Sequence, residues 1–193
     1  MSSRLRLILV LGAVAIGAGL AAWWWQFARP PADFPPPAAL HFTPLSKPRP
    51  VPDAVFYDEE YRERRFADWR GKGIVLNLWA TWCGPCVREL PTLDRLAGLL
   101  AGEDIVVLAL ALDRGGLAVV KPFYEELGIN RLAIYLDPKG RVAKAFGLVG
   151  VPVTAFIDHE GRVLGSHAGL ADWDTPEALA LVRSYLGKPV AGD

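Results

Sequence analysis

The feature that most constrains this chain is a cysteine pair set between a buried strand and a helix. Ile74–Trp79 is an apolar run rich in valine, isoleucine and leucine, broken only by Asn77. Four residues later the sequence reads Cys83-Gly84-Pro85-Cys86. From Pro85 to Leu100, apolar residues at Val87, Leu90, Leu93, Leu96, Leu99 and Leu100 recur at helical spacing. A short continuous apolar run suits a strand covered on both faces, and such strands belong to sheets flanked by helices. The pair therefore lies where the strand ends and the helix begins. Unpaired backbone N–H groups and the positive end of the helix dipole meet Cys83 there, and both favour thiolate over thiol. Its pKa should fall below the free value of about 8.5. Cys83 is expected to be the exposed nucleophile and Cys86, one turn on, the more buried resolver. Gly84 and Pro85 are expected to keep the turn tight.

These are the two cysteines of a 193-residue chain, too few and too close together for a disulfide scaffold. A structural zinc site needs four ligands, and His41, His159 and His167 show no pair spacing. A structural disulfide across one helical turn would close almost no loop and stabilise little. Cu(I) held by the two thiolates stays open as a competing reading, because soft ligands select it. The residues call for no cofactor. Formal net charge is zero, so there is no basic footprint for nucleic acid.

Leu7–Ala28 is a run of 22 residues without a formal charge. As a helix it would span about 33 Å, enough to cross a bilayer's hydrocarbon core. Arg4 and Arg6 precede it, which places the N-terminus in the cytoplasm and the rest outside. Trp23, Trp24 and Trp25 sit where an interfacial belt would be. A cleaved export signal is the competing reading. Its small-x-small site, Ala13-Val14-Ala15, lies inside the apolar run, so an uncleaved anchor over 1–29 is preferred. Residues 30–52 hold nine of the 16 prolines and read as an extended linker. Residues 53–188 form the expected domain and 189–193 a tail. Within the domain, Val55–Tyr57 and Arg65–Phe66 suggest a hairpin. Strands are expected over 74–79, 105–112, 132–136, 153–157 and 162–166. Helices are expected over 85–100, 117–127 and 141–146, with a last one begun by Thr175-Pro176 and stopped by Gly187. The order implies an α/β sheet with helices on both faces.

Asn77-Leu78-Trp79-Ala80-Thr81-Trp82-Cys83-Gly84-Pro85-Cys86 resembles the thioredoxin superfamily, and more narrowly the TlpA/ResA group of membrane-anchored, extracytoplasmic thiol–disulfide oxidoreductases. The resemblance covers about residues 52–188. It implies a thioredoxin fold: a central mixed sheet of about five strands, four main helices, an N-terminal hairpin and the group's insert over 115–134. It implies a proline inside the redox helix, matched by Pro91, and a cis peptide between Val151 and Pro152 beside the cysteines. Trp82, Gly84, Pro85, Val151 and Pro152 would then contact substrate, with the Val151 backbone pairing to it as an added strand.

Two departures stand out. The aspartate that thioredoxins place six residues before the first cysteine is Asn77 here, and the lysine that pairs with it aligns with Ala109. Glu89 is the expected substitute. It lies three residues after Cys86, on the same helix face, and ResA-like proteins carry a glutamate at that spacing. Partial burial would raise its pKa towards values useful for proton transfer. His159 and His167 are read as turn and edge-strand residues, and Trp79 as core. The resemblance implies a periplasmic, single-pass reductant of protein disulfides in cytochrome c maturation or copper-oxidase assembly. A membrane thiol carrier would supply its electrons, and a monomer is the default. A disulfide oxidase or isomerase and a tethered Cu(I)-binding module are the alternatives.

Overall fold

The computed structural model describes residues 40–187. The expected anchor, the start of the linker and the tail lie outside the described residues. Among those described, no helix is long and apolar enough to cross a membrane.

Strand β4 (Gly73–Trp79) is buried along its whole length. Its neighbours are β5 (Ile105–Ala111), parallel, and β7 (Val153–Ile157), antiparallel. Alternation divides its side chains between two layers. Val75 and Trp79 join the core beneath helix α1 (Gly84–Leu99) and helix α4 (Pro176–Leu186). Ile74, Leu76 and Leu78 join the other core, with Phe66 of a 3₁₀ turn (Phe66–Trp69) and Val142 of helix α3 (Arg141–Ala145). Helices thus cover both faces, as a strand buried on both sides requires. Helix α1 runs through Pro91, which cannot donate to the Val87 carbonyl one turn back.

The sheet holds eight strands in the order β1-β8-β7-β4-β5-β6-β2-β3. Five of these, β4, β5, β6 (Tyr135–Leu136), β7 and β8 (Arg162–Ala168), correspond to the five expected central strands, with β6 starting three residues later than expected. β2 (Phe56–Asp58) and β3 (Glu63–Arg64) form a hairpin as expected, but its second strand is not Arg65–Phe66, which instead cap and open the 3₁₀ turn. The eighth is a correction. Thr43–Pro50, read as linker, is β1 and pairs with β8 at the edge of the sheet. Its prolines explain both readings. They cannot donate to a ladder, so they suit a linker equally well as an edge strand whose free side must not recruit another chain. β8 is consequently covered, and His167 is an interior rather than an edge residue, 3 % exposed.

Two turns share one construction. Asp58 accepts from the Glu60 and Arg62 N–H groups, and Asp158 from those of Glu160 and Arg162. At the fourth position one turn has Gly161 at φ 78° and the other Tyr61 at φ 59°. The tyrosine holds this left-handed conformation while its hydroxyl accepts from Leu117 N–H at 3.3 Å, at the start of helix α2 (Leu117–Glu126).

The segment after α2 is pinned by one side chain. Asp94 of α1 is buried, and its Oδ1 accepts from the N–H groups of Asn130, Arg131 and Leu132 at 3.1, 2.7 and 3.1 Å. Three donors lose their partner together if it is removed. We expect Asp94→Ala to lower unfolding free energy by about 3 kcal/mol. Urea denaturation measures this directly, and a loss below about 0.5 kcal/mol, the size of an ordinary surface effect, would contradict the assignment.

Candidate active site

Cys83 is the N-cap residue of α1, and its sulfur accepts the Cys86 N–H at 3.3 Å. The two cysteines are joined in a disulfide, with S–S 2.02 Å and Cα–Cα 5.2 Å. A sulfur at this position replaces the oxygen of an ordinary N-cap. On reduction, the same N–H and the helix dipole would hold a Cys83 thiolate. Cys83 is 6 % exposed and Cys86 1 %, so the expected order holds, but Cys83 is nearly buried rather than exposed. The Val151 carbonyl lies 3.6 Å from Cys83 Sγ, a contact and not a hydrogen bond while the sulfur carries no proton. The Val151–Pro152 peptide is cis.

Three other expected contact residues, Trp82, Gly84 and Pro85, are the chain neighbours of Cys83. Trp82 is 72 % exposed. Pro85 occupies the first turn of α1, where no intrahelical N–H is lost. Gly84 is exposed, and a Cβ built there would meet nothing within 4 Å. The turn therefore does not need glycine for tightness.

A clamp unmarked in the sequence holds the approach to α1. Buried Asp113 accepts from Thr81 N–H at 3.0 Å and Thr81 Oγ1–H at 2.6 Å. This ties the loop after β5 to the residues just before the cysteines. No motif or spacing in the sequence singles out Asp113.

Glu89 is 1 % exposed, beneath α1. Its Oε1 accepts from Asn77 Nδ2 at 2.8 Å and Trp173 Nε1 at 2.7 Å, and its Oε2 from Ala171 N–H at 3.3 Å. Asn77 also donates to Thr154 Oγ1 at 2.9 Å. Asn77 is thus the donor that receives the helix-borne carboxyl, and its register partner on β5 is Ala109. The carboxyl has moved from strand to helix. Burial pushes the Glu89 pKa up, and hydrogen bonds from Trp173, Ala171, Asn77 and Thr154 pull it back, leaving it at about 7. Thr154 and Trp173 escaped sequence reading. Thr154 is a lone polar residue in an apolar strand, which is a usable signal. Trp173 lies outside every motif.

The proton on Glu89 has a consequence for stability. The folded chain keeps it up to about pH 7, while the unfolded chain loses it near the ordinary 4.5. Stability from this group is complete below 4.5 and is lost as pH rises to 7, by about 3 kcal/mol. We expect Glu89→Gln to flatten that part of the pH–stability curve in denaturation of the oxidised protein. Parallel curves for the two forms would contradict the assignment. Trp173→Phe removes a donor to the carboxylate and is expected to move the Glu89 midpoint above about 7, as read from its carboxyl resonance.

The chain resembles known proteins in sequence and fold. It matches the AhpC/TSA family over residues 48–165. The thiol-disulfide oxidoreductase ResA of Geobacillus thermodenitrificans (strain NG80-2) is 39 % identical over 113 residues, 58 % of this chain and 64 % of the relative. The chain thus spans just under two thirds of the length of that curated relative. The ResA of Halalkalibacterium halodurans is 30 % identical over 130 residues, 67 % of this chain and 73 % of the relative. Among solved structures, the exposed lipoprotein thioredoxin of Streptococcus pneumoniae superposes with a TM-score of 0.59 at 30 % identity, over 69 % of this chain and 99 % of that one. A Chlorobium tepidum protein assigned as thiol:disulfide interchange protein DsbE gives 0.66 at 26 % identity, over 74 % and 99 %. With its thioredoxin-like fold and a family match across more than half its length, the chain belongs to the AhpC/TSA family.

Proposed function

We propose that this chain is a thiol–disulfide oxidoreductase acting on protein disulfides through Cys83 and Cys86. The carrying observation is the Cys86 N–H on Cys83 Sγ at the start of α1, with Cys86 itself wholly covered. In the reducing direction, the Cys83 thiolate attacks one sulfur of a substrate disulfide. A mixed disulfide forms and the first substrate thiolate leaves. Cys86 then loses its proton and attacks Cys83, which releases the second substrate thiolate and restores the protein disulfide. Two electrons pass to substrate, the Cys86 proton ends on one product sulfur, and the other product thiolate takes its proton from solvent. Glu89 is the proposed carrier for the Cys86 proton, because a carboxyl with a pKa of about 7 can take it up and give it back near neutrality. Trp82, Gly84, Pro85, Val151 and Pro152 are the proposed substrate contacts, with the Val151 backbone adding the substrate as a strand.

The similarity to proteins named thiol-disulfide oxidoreductase and thiol:disulfide interchange protein supports this reaction class. The finer reading is a monomeric periplasmic reductant, its domain widened from 53–188 to take in β1, held to the inner membrane by residues 7–28. Its proposed substrates are apocytochromes or copper-site proteins, and its proposed electron source is a membrane thiol carrier. The sequence of the first thirty residues and the resemblance to the TlpA/ResA group support it.

The midpoint potential of the Cys83/Cys86 couple tests the direction, with tryptophan fluorescence read against a dithiol buffer. A value near about −270 mV is expected for a reductant, and one near about −120 mV would reverse the direction while leaving the site intact. We expect Cys86→Ser to accumulate a mixed disulfide with a reducible protein and Cys83→Ser to form none. Trapping through Cys86 alone would exchange the two roles.

A further inference from the structure

His167 belongs to the same buried layer as Glu89, and the reaction above does not use it. Asn77 on β4 faces Thr154 on β7, and Thr154 faces His167 on β8, so three polar side chains form one row across the sheet. They are 1 %, 1 % and 3 % exposed. Asn77 and Thr154 are joined by a hydrogen bond, and both act on Glu89. His167 acts one step further away. Its Nδ1 lies 3.1 Å from the His41 carbonyl, at the entry to β1. A carbonyl can only accept, so this contact requires the proton on Nδ1. Nε2 is buried without a partner among the described residues. The ring packs edge-to-face on Trp173, with centroids 5.8 Å apart and planes at 82°.

Trp173 is the residue this contact controls. Its backbone N–H is held by Thr92 Oγ1 at 3.1 Å, which fixes where the side chain starts. The plane of the indole is set by the rings it touches, His167 and Phe156, the latter with its centroid 6.2 Å away. That plane decides whether Nε1 reaches Glu89 Oε1, now 2.7 Å away. We propose that His167 is a positioning residue for Glu89, fixed as the Nδ1–H tautomer by the His41 carbonyl and holding the Trp173 indole so that its N–H meets the Glu89 carboxyl. The polar groups around Glu89 come from each element packed there: Asn77 from β4, Thr154 from β7, His167 from β8, and Ala171 and Trp173 from the segment before α4. On α1, Arg88 and Arg95 lie on the exposed side and Asp94 turns to the 130–132 loop. Asp172 is exposed and Asp174 pairs with Arg95.

The inference rests on the proposed reaction only for the use made of Glu89. Its test needs no substrate. In the full chain with labelled glutamate carboxyls, the Glu89 midpoint is followed in two variants. His167→Asn keeps a donor for the His41 carbonyl and removes the ring. We expect it to raise the midpoint by about half to one pH unit, in the direction of Trp173→Phe, since about one hydrogen bond to the carboxylate is weakened. His167→Phe keeps a ring against Trp173 and removes the donor, and it should leave the midpoint at the native value. An unchanged midpoint in His167→Asn, or equal shifts in both variants, would overturn the proposal. Nitrogen resonances of His167 in the unaltered protein provide a second check that needs no variant to fold. A bare Nε2 and a protonated Nδ1 are expected, and the opposite tautomer would overturn it as well.

Discussion

A carboxyl taken out of water must either keep a proton or be met by donors, and Glu89 does some of both. Satisfying it organises the region around the disulfide. The side chain leaves α1, reaches Asn77 on the central strand and is closed over by the Trp173 indole and the Ala171 N–H from the segment leading into α4. Thr92, one turn along α1, holds the Trp173 N–H as well. The redox helix is therefore keyed to the sheet and to the C-terminal segment by polar contacts in a layer that is otherwise hydrocarbon. Desolvation is the largest influence on Glu89 and favours its protonated form. The donors bring it back to about 7, where it can exchange a proton.

The same economy appears at the cysteines. Helix α1 begins shortly after β4 ends, and the Cys86 N–H of its first turn meets Cys83 Sγ. Asp113 holds the intervening residues through Thr81, and Val151 stands on the other side of the sulfur. The disulfide is nearly covered, while its chain neighbours Trp82 and Gly84 are exposed. Val149, two residues before Val151, is wholly exposed.

At the far edge of the sheet, a proline-rich strand serves two purposes. β1 pairs with β8, so β8 is not an edge strand, and Pro44, Pro48 and Pro50 cannot donate from β1 to another chain. The contact from His167 to the His41 carbonyl ties the start of this strand to the layer that holds Glu89.

Much of this was legible in the residues themselves. The buried run before Cys83, the helical stripe after Pro85 and the polar turn at 158–161 are local patterns, and each element stands where its periodicity or capping residue put it. The cysteine pair, and Glu89 three residues beyond it, follow from helix geometry alone, because residues three apart share a face. Composition could not tell that Thr43–Pro50 is a strand, because edge strands and linkers use the same residues. Nor could it show that Cys83 is covered, or that Asp113, Thr154, His167 and Trp173 gather near the site. Those contacts join residues from about 30 to more than 120 positions apart. Periodicity carries information about which face of its own element a side chain occupies. Which distant side chain lies opposite is decided only when the sheet closes and the helices pack against it.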